Sequence, residues 1–261
     1  MSGGMLNIVV PMAGRGSRFR EAGYELPKPL IPIRGVPMIG VVIENIRPRR
    51  EHRFVFVCQR EHLDHYDVPE LLCRLAPGCR IVPVSGITEG AACTVLLARE
   101  LIDNDQPLMI ANSDQYVTAD IDDYLDEMDR QGADGLIMTM QADDPKWSFV
   151  RFAYDGSVQE VVEKQVVSNE ATVGIYNYRR GRDFVSAADA MIQQDLRVND
   201  EFYVAPAYNE MIRHGARIVA RNIGGVGQGM YGLGTPADLE RFLKLPIFHT
   251  LGASHGSMAL D

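Results

Sequence analysis

Residues 7–30 read NIVVPMAGRGSRFREAGYELPKPL. The run over 7–13 is rich in β-branched side chains and apolar after Asn7, which predicts a short buried strand. Gly14 and Gly16 follow it at once and predict a flexible loop over 14–18. Glycines directly after a strand let the backbone approach a bound group closely and present its N–H groups to an anion. We therefore predict a strand that ends in an anion-accepting loop.

The segments that follow alternate between helical and strand patterns. Helices are predicted over 37–46, 61–75 and 91–102, and strands over 53–58, 80–84 and 107–111. Such alternation is typical of α/β folds with parallel strands, in which ligands bind beyond the carboxyl ends of the strands. The loops over 14–18 and 112–115 both follow strands, so we expect them to meet at that edge of the sheet.

After an apolar run over 135–140 the pattern changes to shorter strands. These are predicted over 149–153, 157–163 and 172–178, with Asp155-Gly156 as a turn signal. Helices are expected over 183–194 and 204–213, then a strand over 217–223 and a helix from Pro236. Residues beyond that helix, to the end of the chain, are expected to form a loose tail.

Composition excludes several classes of protein. Of the 261 residues, 46% are hydrophobic and 23% charged, and no long apolar run suggests a membrane span. The net charge of −9 argues against a nucleic-acid partner. Four cysteines without CxxC spacing, and no apolar signal segment before the first strand, favour reduced thiols in the cytoplasm. A local basic cluster nevertheless indicates a polyphosphate ligand; its members are Arg15, Arg18, Arg20, Lys28 and Arg34.

A longer motif makes the early glycines specific. The three-glycine dinucleotide fingerprint and the GK[ST] phosphate loop are both absent. Instead the chain carries Gly14-x-Gly16-Ser17-Arg18, nine further residues, and then Lys28-Pro29-Leu30, with Pro27 before the lysine. In this respect it resembles the nucleotidyltransferases that activate sugar 1-phosphates and related phosphorylated alcohols. Within that family it looks nearest to the cytidylyltransferases of bacterial surface-polysaccharide pathways.

The resemblance extends through Asp114, Glu163-Lys164 and Gly234-Thr235, so it covers nearly the whole chain. It implies an α/β, Rossmann-like, doubly wound mixed sheet of the nucleotide-diphospho-sugar transferase type, which is GT-A-like. We predict a single nucleotidyltransferase domain and a C-terminal tail. The NTP-binding half spans 5–141, the acceptor-binding half 142–245, the whole domain 5–245 and the tail 246–261.

The activity implied is transfer of a nucleoside monophosphate from an NTP to a small phosphorylated acceptor, with release of pyrophosphate. CTP is slightly favoured over UTP or dTTP, and the product would be an activated precursor of surface polysaccharide. A phosphomonoester is already largely ionised at neutral pH, with a second pKa of about 6, so no general base is needed. Catalysis then requires positioning and charge neutralisation.

The resemblance also assigns residues to roles. Arg18 would contact the β- and γ-phosphates, Lys28 the α-phosphate, and Asp114 would hold Mg²⁺, a hard cation that prefers oxygen ligands. The other nucleotide-binding residues are expected to be Ala13, Gly14, Gly16, Ser17, Thr88, Glu89, Gly90, Ala91 and Ser113. The acceptor-binding residues are expected to be Glu163, Lys164 and Gly174.

The chain departs from the family pattern at one position. Related sugar enzymes carry a second metal-binding aspartate two residues before the Gly-Thr pair, where this chain has Gly232. Either Glu201 or Asp200 replaces it, or one protein carboxylate and phosphate oxygens suffice. The change weakens the inference of a hexose 1-phosphate acceptor.

Three alternatives stay open. The first is a sugar-1-phosphate uridylyltransferase or thymidylyltransferase. The second is a non-catalytic, nucleotide-binding regulatory relative, suggested by the missing aspartate. The third is a glycosyltransferase that uses a nucleotide sugar, because Asn112-Ser113-Asp114 loosely resembles its metal motif. A homodimer is also left open, and Trp147, Phe149 and Tyr203 are expected in core packing or a dimer contact rather than in base or sugar stacking.

Overall fold

The computed structural model describes residues 4–245, so the predicted tail over 246–261 lies outside the described residues. The strands are β1 Leu6–Met12, β2 Pro32–Ile33, β3 Val36–Pro37, β4 His52–Gln59, β5 Arg80–Val84, β6 Leu108–Ala111, β7 Gln115–Val117, β8 Gly135–Gln141, β9 Ser148–Phe152, β10 Val158–Glu163, β11 Glu170–Tyr178, β12 Ile218–Val226 and β13 Gly229–Gly232. The helices are α1 Ser17–Glu21, α2 Met38–Ile46, α3 Arg60–His65, α4 Val68–Leu75, α5 Ala91–Leu96, α6 Arg99–Ile102, α7 Ile121–Arg130, α8 Gly181–Gln193, α9 Ala207–Arg213 and α10 Pro236–Leu243, with a 3₁₀ turn at Lys28–Leu30.

One mixed sheet runs through the protein in the order β5-β4-β1-β6-β11-β8-β12-β13-β7. Strands β5, β4, β1 and β6 are parallel to one another, as the helix–strand alternation predicted. Strand β11 is antiparallel to both β6 and β8. The β9–β10 hairpin joins through β11, and β2 pairs with β3 separately. The predicted mixed α/β sheet is confirmed, and its strands come from both predicted halves of the chain.

The two faces of the sheet carry separate hydrophobic clusters. On β1, Ile8 and Val10 face the cluster formed with α2, α4, α7 and α10. Val9 faces the opposite cluster, formed with α5, α8 and α9. Successive side chains of a strand point to opposite faces, so a strand covered on both sides must be apolar throughout. This explains the continuous apolar run over 8–13, whereas the buried Asn7 side chain accepts a hydrogen bond from Arg53.

Several elements differ from the predicted ones. The helix over 61–75 divides into α3 and α4, because Pro69 cannot continue a helix but is favoured in its first turn. The helix over 91–102 divides into α5 and α6. The loop over 14–18 is shorter than predicted, since α1 begins at Ser17. Strands β7 and β13 are too short for a periodic pattern to reveal them, and helix α7 was also not predicted.

Two asparagines cover the outer edges of strands. Asn209 on α9 accepts the Val161 N–H at 2.8 Å and donates to the Val161 carbonyl at 2.8 Å. Asn45 on α2 does the same for Val117, at 2.8 and 2.7 Å. Each amide thus satisfies both backbone groups that an edge strand would otherwise offer to another chain. Among residues 4–245 there is no helix with the length and apolar character to cross a membrane.

Candidate active site

Lys28 and Asp114 meet where β6 ends. Pro27 and Pro29 restrict the backbone on either side of Lys28, which opens the 3₁₀ turn. The Lys28 Nζ atom lies 2.8 Å from Asp114 Oδ2. The Asp114 carbonyl accepts the Leu233 N–H at 2.7 Å, and a Cβ on Gly234 would lie 2.8 Å from Asp114 Oδ2. The carboxylate is therefore held between the early lysine and the late Gly-Thr pair.

A cavity of about 300 Å³ lies beyond the carboxyl ends of β1 and β6. This nucleotide cavity, as we call it, includes nine of the predicted residues. They are Ala13, Gly14, Lys28, Thr88, Gly90, Ala91, Ser113, Asp114 and Glu201. Its other lining residues are Pro11, Met12, Pro29, Ile87, Thr94 and Asn112. The two loops predicted to meet at this edge of the sheet do so.

Some predicted residues lie outside the nucleotide cavity. Gly16 has a left-handed backbone at the start of α1, with φ of 59°, and a Cβ there would lie 3.3 Å from Lys28 Cβ. Ser17 and Arg18 are exposed on α1. Glu89 forms an ion pair with Arg197 at 2.5 Å. Of the five residues in the predicted basic cluster, Lys28 lines the cavity.

The wall of residues 88–91 is held by its own hydrogen bonds. Thr88 Oγ1 donates to the Gly90 carbonyl at 3.0 Å and lies 2.6 Å from Thr94 Oγ1. Gly90 has φ of 125°, and a Cβ there would lie 2.4 Å from the Phe202 carbonyl oxygen. Only glycine fits this backbone angle and this close approach. The wall therefore presents backbone and small side chains, which suits a flat ring.

A second cavity of about 190 Å³ adjoins the first and shares Ala91 and Asn112 with it. This acceptor cavity, as we call it, includes Glu163, Lys164 and Gly174, the three residues predicted to bind the acceptor. Its other lining residues are Lys146, Trp147, Ser148, Thr172, Val173, Tyr176, Tyr203 and Val204. Hydroxyl groups, a carboxylate and two ammonium groups suit a small phosphorylated polyol.

Glu163 and Lys164 have unusual environments in this cavity. Glu163 is buried, and burial raises the pKa of its carboxyl group, although a hydrogen bond from Ser148 Oγ opposes the shift. Lys164 adopts a left-handed backbone with φ of 55°, which is rare for residues other than glycine. Its Nζ atom lies 3.9 Å from Glu163 Oε1. Backbone strain of this kind concentrates at functional sites.

A bulge in β11 shapes the boundary between the cavities. The pairing of β11 with β8 shifts between Thr172 and Tyr176. Within it, Gly174 has φ of 92°, and a Cβ there would lie 2.2 Å from Asn112 Nδ2 and 2.7 Å from Gln115 Oε1. The Gly174 carbonyl accepts the Asn112 N–H at 3.0 Å. The lack of a side chain at Gly174 therefore leaves the space that the Asn112 side chain occupies. Asn112 in turn lines both cavities.

The structure distinguishes the two candidates for a second carboxylate. Asn199 and Asp200 both have left-handed backbones, with φ of 50° and 63°, in a two-residue turn closed by the Val198–Glu201 bridge. Asp200 is thus a turn residue, whereas Glu201 lines the nucleotide cavity with Asp114. No cluster of three or more metal-binding side chains occurs within residues 4–245. Mg²⁺ at a phosphate site is nevertheless usually bound by one or two carboxylates and by phosphate oxygens. Asp114 and Glu201 therefore fit a Mg²⁺ ion.

Several residues of the site escaped prediction. Phe149 is in the core as expected, but Trp147 and Tyr203 line the acceptor cavity, so their assignment to core packing or a dimer contact was incomplete. Asn112 was considered only as part of a metal motif. The Ser148 hydroxyl, which donates to Glu163, left no signal because no motif in the sequence includes it.

Comparison with known proteins agrees with this geometry. The family model described as "Nucleotidyl transferase" matches residues 8–217. The mannose-1-phosphate guanylyltransferase catalytic subunit beta of Danio rerio is 30% identical over 179 residues, covering 66% of this chain and 49% of that protein. The bifunctional protein GlmU of Cupriavidus metallidurans is 26% identical over 226 residues, covering 82% of this chain and 46% of that protein. The chain therefore spans about half the length of these curated relatives.

The fold has a close counterpart among solved structures. The nucleoside-diphosphate-sugar pyrophosphorylase from Vibrio cholerae RC9 matches with a TM-score of 0.75 and 26% sequence identity. The match covers 91% of this chain and 100% of that one. The Rossmann-like, GT-A-like class predicted from the motifs is confirmed.

Proposed function

Because the chain belongs to the nucleotidyl transferase family, we propose that it transfers a nucleoside monophosphate from an NTP to a sugar 1-phosphate and releases pyrophosphate. The observation that carries this proposal is the Lys28–Asp114 pair, with its 2.8 Å contact, in a cavity that adjoins the cavity of Lys164. Two neighbouring anion sites, each with a lysine, suit two phosphorylated substrates that must react with each other. The halves over 5–141 and 142–245 would each supply most of one site.

In the proposed reaction an oxygen of the acceptor phosphate attacks the α-phosphorus of the NTP. A new phosphorus–oxygen bond forms, the bond to the bridging α–β oxygen breaks, and pyrophosphate leaves. The acceptor is already ionised, so no proton has to be removed. Lys28 neutralises the charge that builds up on the α-phosphate, and Lys164 holds the attacking phosphate beside it.

Asp114, with Glu201 as the second candidate, would hold Mg²⁺. When bound, this ion would neutralise phosphate charge and align the triphosphate. Arg18 keeps its proposed contact with the β- and γ-phosphates. Its exposed position on α1 requires the long side chain to swing over the mouth of the cavity. The wall of residues 88–91 would receive the base.

The acceptor we now favour is a sugar 1-phosphate rather than the acceptor of a cytidylyltransferase. The relatives reported above are named for mannose 1-phosphate and for nucleoside-diphosphate sugars, which supports the alternative interpretation of the sequence. The polar lining of the acceptor cavity also suits a sugar. The product would be a nucleoside-diphosphate sugar, a precursor for surface polysaccharide.

A substrate screen tests the proposal. Purified protein with Mg²⁺ would be given each common NTP with each of a panel of sugar phosphates, phosphocholine, phosphoethanolamine and phosphorylated amino acids, and pyrophosphate release would be measured. We expect release with at least one sugar 1-phosphate, and loss of that release in Asp114→Asn. Tight NTP binding without any product would instead support the non-catalytic relative. Turnover of UDP-sugars that Lys28→Ala leaves unchanged would support the glycosyltransferase.

A further inference from the structure

An aromatic ring beside the acceptor lysine also contacts the nucleotide side of the site. The Lys164 Nζ atom lies 5.1 Å from the centre of the Tyr203 ring, a distance at which an ammonium group is attracted to a ring face. The Lys164 side chain is 32% exposed, so it is not fixed by packing on all sides and can change conformation. The Tyr203 ring therefore limits the positions that the ammonium group can take.

Tyr203 is itself held by a residue of the nucleotide cavity. The Tyr203 Oη atom donates a hydrogen bond to Glu201 Oε2 at 2.5 Å. Glu201 lines the nucleotide cavity, whereas Tyr203 lines the acceptor cavity. Hydrogen bonds to a charged group are stronger than those between neutral groups. This bond therefore links the two cavities.

Phe202, between these two residues, is bonded to the wall that would receive the base. Its N–H donates to the Glu89 carbonyl at 2.7 Å, and its carbonyl accepts the Ala92 N–H at 3.0 Å. At Gly90 the two segments are so close that a Cβ would lie 2.4 Å from the Phe202 carbonyl oxygen. The wall cannot shift without moving the backbone over 201–203.

We propose that Tyr203 is a positioning residue through which an occupied nucleotide cavity tightens acceptor binding at Lys164. The inference rests on the proposed function for the identity of the two ligands. A nucleotide against residues 88–91 restrains the segment over 201–203, and with it the ring beside Lys164. An ammonium group that is already restrained loses less conformational entropy when it binds a phosphate.

The chain contains a built-in reporter for this coupling. Trp147 is the one tryptophan in the sequence. It lines the acceptor cavity, and its carbonyl accepts the Lys164 N–H at 3.0 Å. Its fluorescence would be followed while glucose 1-phosphate or mannose 1-phosphate is titrated, with and without a saturating α,β-methylene analogue of each common NTP. These analogues cannot be turned over, so the experiment measures binding alone.

In the wild-type protein we expect the nucleotide analogue to lower the acceptor Kd by about fivefold or more, the usual scale of coupling between sites. Tyr203→Phe keeps the ring but loses the bond to Glu201, so the ratio of the two Kd values should fall to near one. The matched control is Tyr154→Phe, because Tyr154 is fully exposed, and it should keep the wild-type ratio. Tyr203→Phe should leave the nucleotide Kd measured without acceptor unchanged, because the coupling is reciprocal and acts only when both ligands are bound.

Two outcomes would overturn the inference. One is an equal Kd ratio in the wild-type protein and Tyr203→Phe, and the other is the absence of coupling in the wild-type protein. A purely structural role for Tyr203 would instead lower thermal stability and weaken nucleotide binding even without acceptor. If neither sugar phosphate nor any analogue binds, the proposed function itself is refuted, whereas binding without coupling refutes only the role of Tyr203.

Discussion

The Nζ atom of Lys28 lies 2.8 Å from the Oδ2 atom of Asp114, although the two residues are 86 positions apart in the chain. Their side chains are 22% and 28% exposed, so water reaches the pair and ligands can as well. In this contact the charge of Lys28, which we propose binds the triphosphate, and the charge of Asp114, which we propose binds the metal, neutralise each other. Under the proposed function, binding of the triphosphate and its metal must therefore separate or share this pair, so both residues are expected to be sensitive to mutation.

Lys28→Ala should lower kcat by about 10²-fold or more, the scale of losing one preorganised charge stabiliser. The lysine is expected to act on charge that develops at the α-phosphate, so kcat should fall more than the nucleotide KM rises. Steady-state pyrophosphate release measures both. Lys244→Ala, at an exposed lysine after α10, is the control and should be unaffected. A near-normal kcat in Lys28→Ala would show that the lysine is structural.

Asp114→Asn should lower kcat by about 10²-fold or more at every Mg²⁺ concentration, because the amide keeps the shape but loses the charge of a metal ligand. A Mg²⁺ titration of turnover in wild type and variant measures this. Asp126→Asn is a suitable control, since Asp126 is 61% exposed and pairs with Arg50 on the surface. Full activity of Asp114→Asn would contradict the assignment of this carboxylate to the metal.

Gly174→Ala should impair turnover and stability more than Gly156→Ala does. Both glycines have left-handed backbones, with φ of 92° and 80°, so both substitutions carry a backbone cost of about 1–2 kcal/mol. The added methyl group meets open space at Gly156, whereas at Gly174 it would lie 2.2 Å from Asn112 Nδ2. Urea unfolding and pyrophosphate release would separate the two effects. Equal losses in both variants would mean that Asn112 can move without consequence.

Glu163→Gln should change how stability depends on pH. Burial raises the pKa of Glu163, so between the ordinary glutamate value and the raised value the folded protein keeps a proton that the unfolded chain has lost. The free energy of unfolding of the wild type therefore falls as pH rises through that window. The glutamine side chain of the variant stays neutral and lacks this loss, so the variant should gain stability relative to the wild type as pH rises through the same window. Urea unfolding at several pH values tests this, and parallel curves would contradict it.

Asn209→Ala should destabilise the protein by about 1–3 kcal/mol, because it leaves the Val161 N–H and carbonyl without their partner. Asn209→Asp retains the oxygen that accepts the Val161 N–H but places a carboxylate oxygen against the Val161 carbonyl, so its cost should be at least as large. Urea unfolding measures both, with light scattering to detect association through the uncovered strand. Equal stability of wild type and Asn209→Ala would show that water replaces the amide without cost.

Local patterns were sufficient for much of the first half of the sheet. The β-branched run over 7–13 predicted a buried strand, and β1 is covered on both faces. The sequence pattern was weaker for strands that depend on pairing with a distant strand. Strands β7 and β13 are an example, because they pair with each other across a gap of more than a hundred residues. Such short strands exist because of their partners, and a periodic pattern needs more residues than they contain.

The motif spacing was enough to select Lys28, and the position at a strand end favoured Asp114, whereas Lys164 was a candidate only through the resemblance to the family. The sequence could not choose between Asp200 and Glu201, which are adjacent in the chain. Folding assigns one to a left-handed turn and the other to the cavity wall. The contacts of Tyr203 with Lys164 and Glu201 likewise arise only when distant segments pack. Backbone propensity and side-chain period act over a few residues, whereas a site made by several loops depends on strand pairing and on the docking of those loops.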